Sequence, residues 1–165
     1  MISITKLLCD LPSYGDSLRY RPDMTSSSRR PIVVWNVSRR CNLSCMHCYS
    51  NSANTGYAGE LTTRQAKDMI LDLEAFKVPV LLFSGGEPLM RPDLFELNSF
   101  AREHNIRTVI STNGTLIDKP CAEKIKKSFV DYVGVSLDGM GSRNDRFRGR
   151  QGAFLRHASQ GIQQT

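Results

Sequence analysis

No apolar run in this 165-residue chain is long enough to cross a bilayer, which excludes a transmembrane helix of ordinary length. Residues 1–11 offer only the short apolar patch Leu7-Leu8, not the long apolar segment of a secretory signal, so a soluble cytoplasmic protein without membrane partners is expected. An even set of cysteines is also missing. There are five, and in a reducing compartment an odd number favours metal binding or core packing over disulfides. Aromatic and basic residues are not interleaved, and no basic helix reads as a groove binder, so no nucleic-acid partner is expected. The formal net charge of +6 favours an anionic partner, but outside Arg29-Arg30, Arg39-Arg40, Lys124-Lys126-Lys127 and 143–150 the basic residues are scattered as on a solvated surface.

What is present is ordinary globular material, 40% hydrophobic and 23% charged, enough for one domain with a core. A polar stretch at 25–31 separates an N-terminal extension and linker, 1–30, from a folded unit at 31–165. Apolar β-branched runs at 32–37, 80–83, 108–110 and 132–135 read as strands buried on both faces. Between the first two, Thr62 with Gln65 makes a capping box, and Ala66, Met69, Ile70 and Leu73 form a helical stripe. Pro92 suits the first position of a helix carrying Leu94, Leu97 and Ala101, while Asp118 caps one carrying Cys121, Ala122 and Ile125. Phe154, Ala158 and Ile162 mark a last helix. Repeated βα units predict an α/β fold with a parallel sheet and right-handed crossovers.

Three of the five cysteines, Cys41, Cys45 and Cys48, fall within eight residues directly after the first strand. Their spacing also matches one face of a helix, where cysteine packs as a small hydrophobe. As ligands, thiolates suit iron–sulfur clusters and zinc. A zinc site would need His47 as its fourth ligand, and a histidine adjacent to Cys48 would strain to share that tetrahedron. A four-iron cluster held by three cysteines leaves one iron without a protein ligand, and an open metal position is where chemistry happens. Cys9 and Cys121 stand alone and read as structural, as do His104 and His157.

In βα folds the carboxyl ends of parallel strands form the functional face, so the residues just after each strand belong together. After the cysteines come Ser84-Gly85-Gly86-Glu87-Pro88, then Ser111-Thr112-Asn113-Gly114, then Ser136-Leu137-Asp138-Gly139. The paired glycines let main chain approach a ligand, and Glu87 offers a carboxylate to an ammonium group; the alternative is a glycine turn with Glu87 in solvent. Asn113 and Asp138 are either turn formers or partners for sugar hydroxyls.

With these residues assembled, the chain resembles the radical S-adenosylmethionine (radical SAM) enzymes, whose three-cysteine motif Cys41, Cys45 and Cys48 match, and whose methionine-binding motif Gly85-Gly86-Glu87-Pro88 is similar to. The resemblance implies a [4Fe–4S] cluster on those cysteines whose open iron chelates S-adenosylmethionine, and one electron then cleaves the cofactor to methionine and a 5′-deoxyadenosyl radical. It further implies cofactor contacts at Ser111, Asn113, Ser136 and Asp138, and a flat ring against adenine at His47, where the family pattern prefers an aromatic residue. Arg146, Arg148 and Arg150 are either surface charge or reach the cofactor's carboxylate. Segments 1–7, 17–20 and 34–43 are similar to the enzymes that trim side chains of iron tetrapyrroles in haem d1 and alternative haem biosynthesis. The expected fold is thus an incomplete (β/α) barrel, about four βα units of the family's six, as in an N-terminal fragment.

The reading that follows is a radical SAM enzyme acting on an iron tetrapyrrole, supplied with electrons by a ferredoxin or flavodoxin. The alternatives are a radical SAM maturase of a ribosomal peptide and a non-catalytic iron–sulfur or zinc module.

Overall fold

The computed structural model describes residues 30–154; Cys9, His157, the segments 1–7 and 17–20 and the helix expected through Ala158 and Ile162 lie outside the described residues. Strands β1 (Val33–Ser38), β2 (Val80–Gly85), β3 (Arg107–Thr112) and β4 (Tyr132–Val135) pair in parallel in that spatial order. Helix α1 (Thr63–Ala75) links β1 to β2, α2 (Leu94–Glu103) links β2 to β3, α3 (Lys119–Lys127) links β3 to β4, and α4 (Ser142–Arg148) follows β4.

Local chemistry explains most of these boundaries. Thr62 Oγ1 accepts from the Gln65 N–H while Gln65 Oε1 accepts from the Thr62 N–H, the reciprocal pair expected at the start of α1. Asp118 accepts from the Cys121 N–H at 2.8 Å and caps α3. The start of α2 differs from the expectation: Pro92 lies outside the helix, and its N-cap Asp93 makes no side-chain cap. That carboxylate is already occupied by Arg91 at 2.8 Å and by the Thr63 hydroxyl at 2.8 Å. Helix α4 was not legible in the sequence, because its seven residues, SRNDRFR, carry a single apolar side chain and hence no stripe.

Strand register sets two unlike faces. Val33 lies opposite Leu81 and Leu81 opposite Thr108, so Trp35, Phe83 and Ile110 share a side, where they pack against Ala66 and Ile70 of α1 and Leu94, Leu97 and Ala101 of α2. The alternate residues point the other way, and Val34 is 60% and Tyr132 65% exposed. The expectation of strands buried on both faces is therefore corrected. In a sheet wound in sequence order with its helices on one side, the second face is the inner wall of a barrel, not a helix-covered layer.

Arg91 ties this frame together. Its guanidinium donates to the Val37 carbonyl at 2.8 Å, to the Leu61 carbonyl at 2.9 Å and to both oxygens of Asp93, and it lies over the Trp35 ring. Burial alone would push the Asp93 carboxyl up, but the hydrogen bonds from Arg91 and Thr63 hold it below the usual carboxylate range. A depressed folded pKa gives stability that is present above about pH 4, the unfolded value, and is lost as pH falls through the lower folded value. Arg91→Met strands Asp93 and two carbonyls, and is expected to cost about 3 kcal/mol in urea unfolding at pH 7, with less loss at pH 3, where the carboxylate contributes less in either protein.

Candidate functional site

The loop after β1 is braced from three directions. Leaving β1, the Ser38 hydroxyl and the Arg39 N–H both donate to Glu60 Oε1. Arg39 then reaches across to the carbonyls of Ser50 and Asn51, and the Cys41 N–H donates to the Ala53 carbonyl at 3.0 Å, closing the loop into a ring of main chain.

From β2, the Gly86 N–H donates to the Ser38 carbonyl at 2.8 Å and the Glu87 N–H to the Arg40 carbonyl at 2.9 Å. The approach is so close that a Cβ on Gly85 would stand 2.3 Å from the Ser38 oxygen, and one on Gly86 2.4 Å from the Arg40 oxygen. Gly85 also sits at φ +125°, which a side chain would oppose. From β3, Asn113 Nδ2 donates to Asn42 Oδ1 at 2.9 Å and lies 3.8 Å from the Cys41 sulfur, while Asn42 Nδ2 donates to the Thr115 hydroxyl. From the end of α4, the Phe147 carbonyl accepts from the Met46 N–H at 2.9 Å.

These attachments surround a cavity of ≈ 510 Å³. Cys41, Cys45 and Cys48 line it on one side with His47, Gly85 and Gly86 come from β2, and Ser111, Asn113, Ser136 and Asp138 come from the ends of β3 and β4. The structure thus brings to one cavity the three cysteines and every expected cofactor contact except Glu87; of the three candidate arginines Arg148 lines it, and Arg146 and Arg150 do not. Glu87, whose carboxylate is expected either to meet an ammonium group or to lie in solvent, is not in solvent: it is 0% exposed, accepting from the Leu89 N–H at 3.0 Å, the Thr112 hydroxyl at 2.7 Å and the Asn113 N–H at 2.7 Å. Burial pushes its pKa up and these donors oppose the shift. These bonds join the end of β3 to the glycine turn. Asn42, Thr112 and Thr115 were missed by sequence reasoning, since short polar residues beside turns carry no signal until the loops meet.

The remaining candidates are placed as follows. His47 is half-exposed, with Nε2 3.5 Å from Asp138 Oδ2 and its ring edge-on to Phe147. His104 is structural as expected, paired with Glu74 at 2.7 Å and packed on Phe100. Cys121 sits on α3 and does not line the cavity.

Cys41 and Cys48 are chemically unlike. Burial pushes the Cys41 thiol up, against the Leu43 N–H that points at its sulfur. Burial also raises Cys48, but hydrogen bonds from the Ser50 hydroxyl and the Ser52 N–H outweigh it and bring the pKa to about 7. Cys41, Cys45, Cys48 and Cys121 are all free. Among the described residues no three His, Cys, Asp or Glu side chains converge as one metal ion requires, although three cysteines face the same cavity. That donor set fits a multi-iron core, in which each thiolate takes its own iron, and does not fit the single-zinc alternative with His47.

A family model described as the radical SAM superfamily matches residues 35–157. The chain belongs to the radical SAM superfamily. Members of this superfamily use a [4Fe–4S] cluster and S-adenosylmethionine. Among its relatives, the chain is 50% identical over 163 residues to Fe-coproporphyrin III synthase of Methanosarcina barkeri, covering 93% of this chain and 41% of that protein. It is 47% identical over 146 residues to pre-heme d1 synthase of Dinoroseobacter shibae, covering 87% and 36%. The solved structure of native anSMEcpe with bound AdoMet superposes with a TM-score of 0.62 at 27% identity, covering 78% of this chain and 39% of that one. The chain therefore spans less than half the length of these radical SAM relatives.

Two outcomes follow. After anaerobic reconstitution, Cys45→Ala should lose most of its iron while Cys121→Ala keeps the wild-type amount, measured as iron and sulfide per chain. Glu87→Ala leaves buried donors without an acceptor and should lower the unfolding free energy of the apoprotein by about 3 kcal/mol, seen in urea titration.

Proposed function

We propose that Cys41, Cys45 and Cys48 hold a [4Fe–4S] cluster, that the adjoining cavity takes S-adenosylmethionine, and that the complete protein uses the resulting radical to process side chains of an iron tetrapyrrole in haem or haem d1 biosynthesis. One observation carries the reading: three free cysteines on one loop face the same cavity as the carboxyl ends of β2, β3 and β4. When bound, the cluster supplies the electron that cleaves S-adenosylmethionine.

The chain's own residues do the binding. The turn at Gly85 and Gly86 brings bare main chain to the cavity wall, since neither position has a side chain to hold a ligand away. Ser111 and Ser136 present hydroxyls, and Asp138 presents a carboxylate for hydroxyl groups of the nucleoside part. His47 offers its ring at the open side, where it can stack on a base. Asn113 is turned toward the cysteine loop, so its contribution is to set Asn42 and Cys41 against the cofactor. Burial of Cys41 and Asn113 keeps water from that side of the cavity.

The tetrapyrrole substrate is supported by the names of the two relatives above, at 50% and 47% identity. Residues 31–165 are read as the front of the barrel and 1–30 as an extension and linker, in a cytoplasmic protein reduced by a ferredoxin or flavodoxin. In the complete protein, reduced anaerobically, we expect 5′-deoxyadenosine to form and an added iron tetrapyrrole to lose side-chain mass by mass spectrometry. Cofactor cleavage with a mass change on a peptide instead would overturn the substrate, and absence of cleavage in iron-replete protein would overturn the reading.

A further inference from the structure

The end of α4 is fastened to the cysteine loop more tightly than a helix that merely follows a strand needs to be. Besides the Met46 N–H to Phe147 carbonyl bond, the Arg150 Nη1 reaches the Asn42 carbonyl at 3.4 Å. Gly149 lies against Ser44 so closely that a Cβ there would stand 2.2 Å from the Ser44 oxygen, and its φ of +63° suits glycine. Between these contacts lies Arg148, only 8% exposed. Its Nη1 is 3.8 Å from the Cys45 sulfur, within range of a hydrogen bond to sulfur.

The other end of the same guanidinium faces Asp138. Arg148 Nε and Asp138 Oδ2 are 2.6 Å apart, yet Nε makes no hydrogen bond of acceptable direction, so the two groups form an ion pair and not a directed bond. Asp138 Oδ2 is in turn 3.5 Å from His47 Nε2, and the Asp138 N–H donates to the Asn144 carboxamide, which anchors the turn from beneath. A carboxylate after β4 thereby holds a buried cation against one of the three cluster sulfurs.

We propose that Arg148 and Asp138 form an opposed charge pair that sets the reduction potential of a cluster on Cys41, Cys45 and Cys48, with Arg148 as the positioning residue for Cys45. The inference rests on the cluster reading given above. Reduction adds one negative charge to the cluster, so a cation beside a ligating sulfur favours the reduced form and an anion behind it opposes that form. Donation to the sulfur acts in the same direction as the cation. The two residues therefore have effects of opposite sign on one measurable quantity, which a purely structural role for the end of α4 would not produce.

The test is a dithionite redox titration of the reconstituted protein, followed by the paramagnetic signal of the reduced cluster, with no S-adenosylmethionine present. Arg148→Met is expected to lower the midpoint so that the reduced fraction falls by about tenfold, or 59 mV for a one-electron couple. Arg148→Lys, which retains charge, should recover most of that shift, and Asp138→Asn should move the midpoint upward. Iron content is measured alongside. If Arg148→Met loses its cluster altogether, Asp138→Asn still decides the sign. Equal midpoints in wild type and Asp138→Asn, or shifts of one sign in Asp138→Asn and Arg148→Met, would overturn the proposal while leaving the cluster assignment standing. A wild-type protein that takes up no iron would overturn the cluster reading itself.

Discussion

Everything at the functional end of this protein depends on how closely the turn after β2 can approach the chain leaving β1. Two main-chain hydrogen bonds, Gly86 N–H to Ser38 and Glu87 N–H to Arg40, draw the segments together beside Gly85 and Gly86, where no side chain could fit. That contact fixes the exit of the cysteine loop relative to the sheet. Because backbone–backbone contact is rigid and Gly85 holds a conformation unfavourable for any other residue, the loop inherits the order of the strands instead of wandering as an exposed loop would.

Glu87 extends the same constraint to β3. A buried carboxylate is costly unless hydrogen-bonded, and here three donors from the adjoining turn and from the end of β3 meet that cost. The arrangement makes Glu87 a joint between strands, and the cavity wall there is glycine main chain and small hydroxyls. Asn42, Asn113 and Thr115 then lock the loop to β3, and the end of α4 closes the far side, so each βα unit in the chain sends one element to the cysteine loop. The sheet face turned away from the helices, by contrast, exposes Val34 and Tyr132.

Periodicity and chemistry in the sequence determined a good deal: four strands, three of the helices, the capping box at Thr62 and Gln65, and the cysteine spacing that points to a shared inorganic ligand. Each is written in residues near one another in the chain, where side-chain pattern and capping act locally. Tertiary structure alone decided what depends on distant segments meeting. It buried Glu87, because two of the three donors that satisfy it come from the end of β3 and the residue after it, more than twenty residues away. It exposed one face of the sheet, because whether an apolar strand is covered depends on which side its helices take. It also placed Arg148 beside Cys45 across 103 positions of sequence, a juxtaposition that spacing cannot encode, since only the closing of the fourth βα unit onto the first brings that cation to that sulfur.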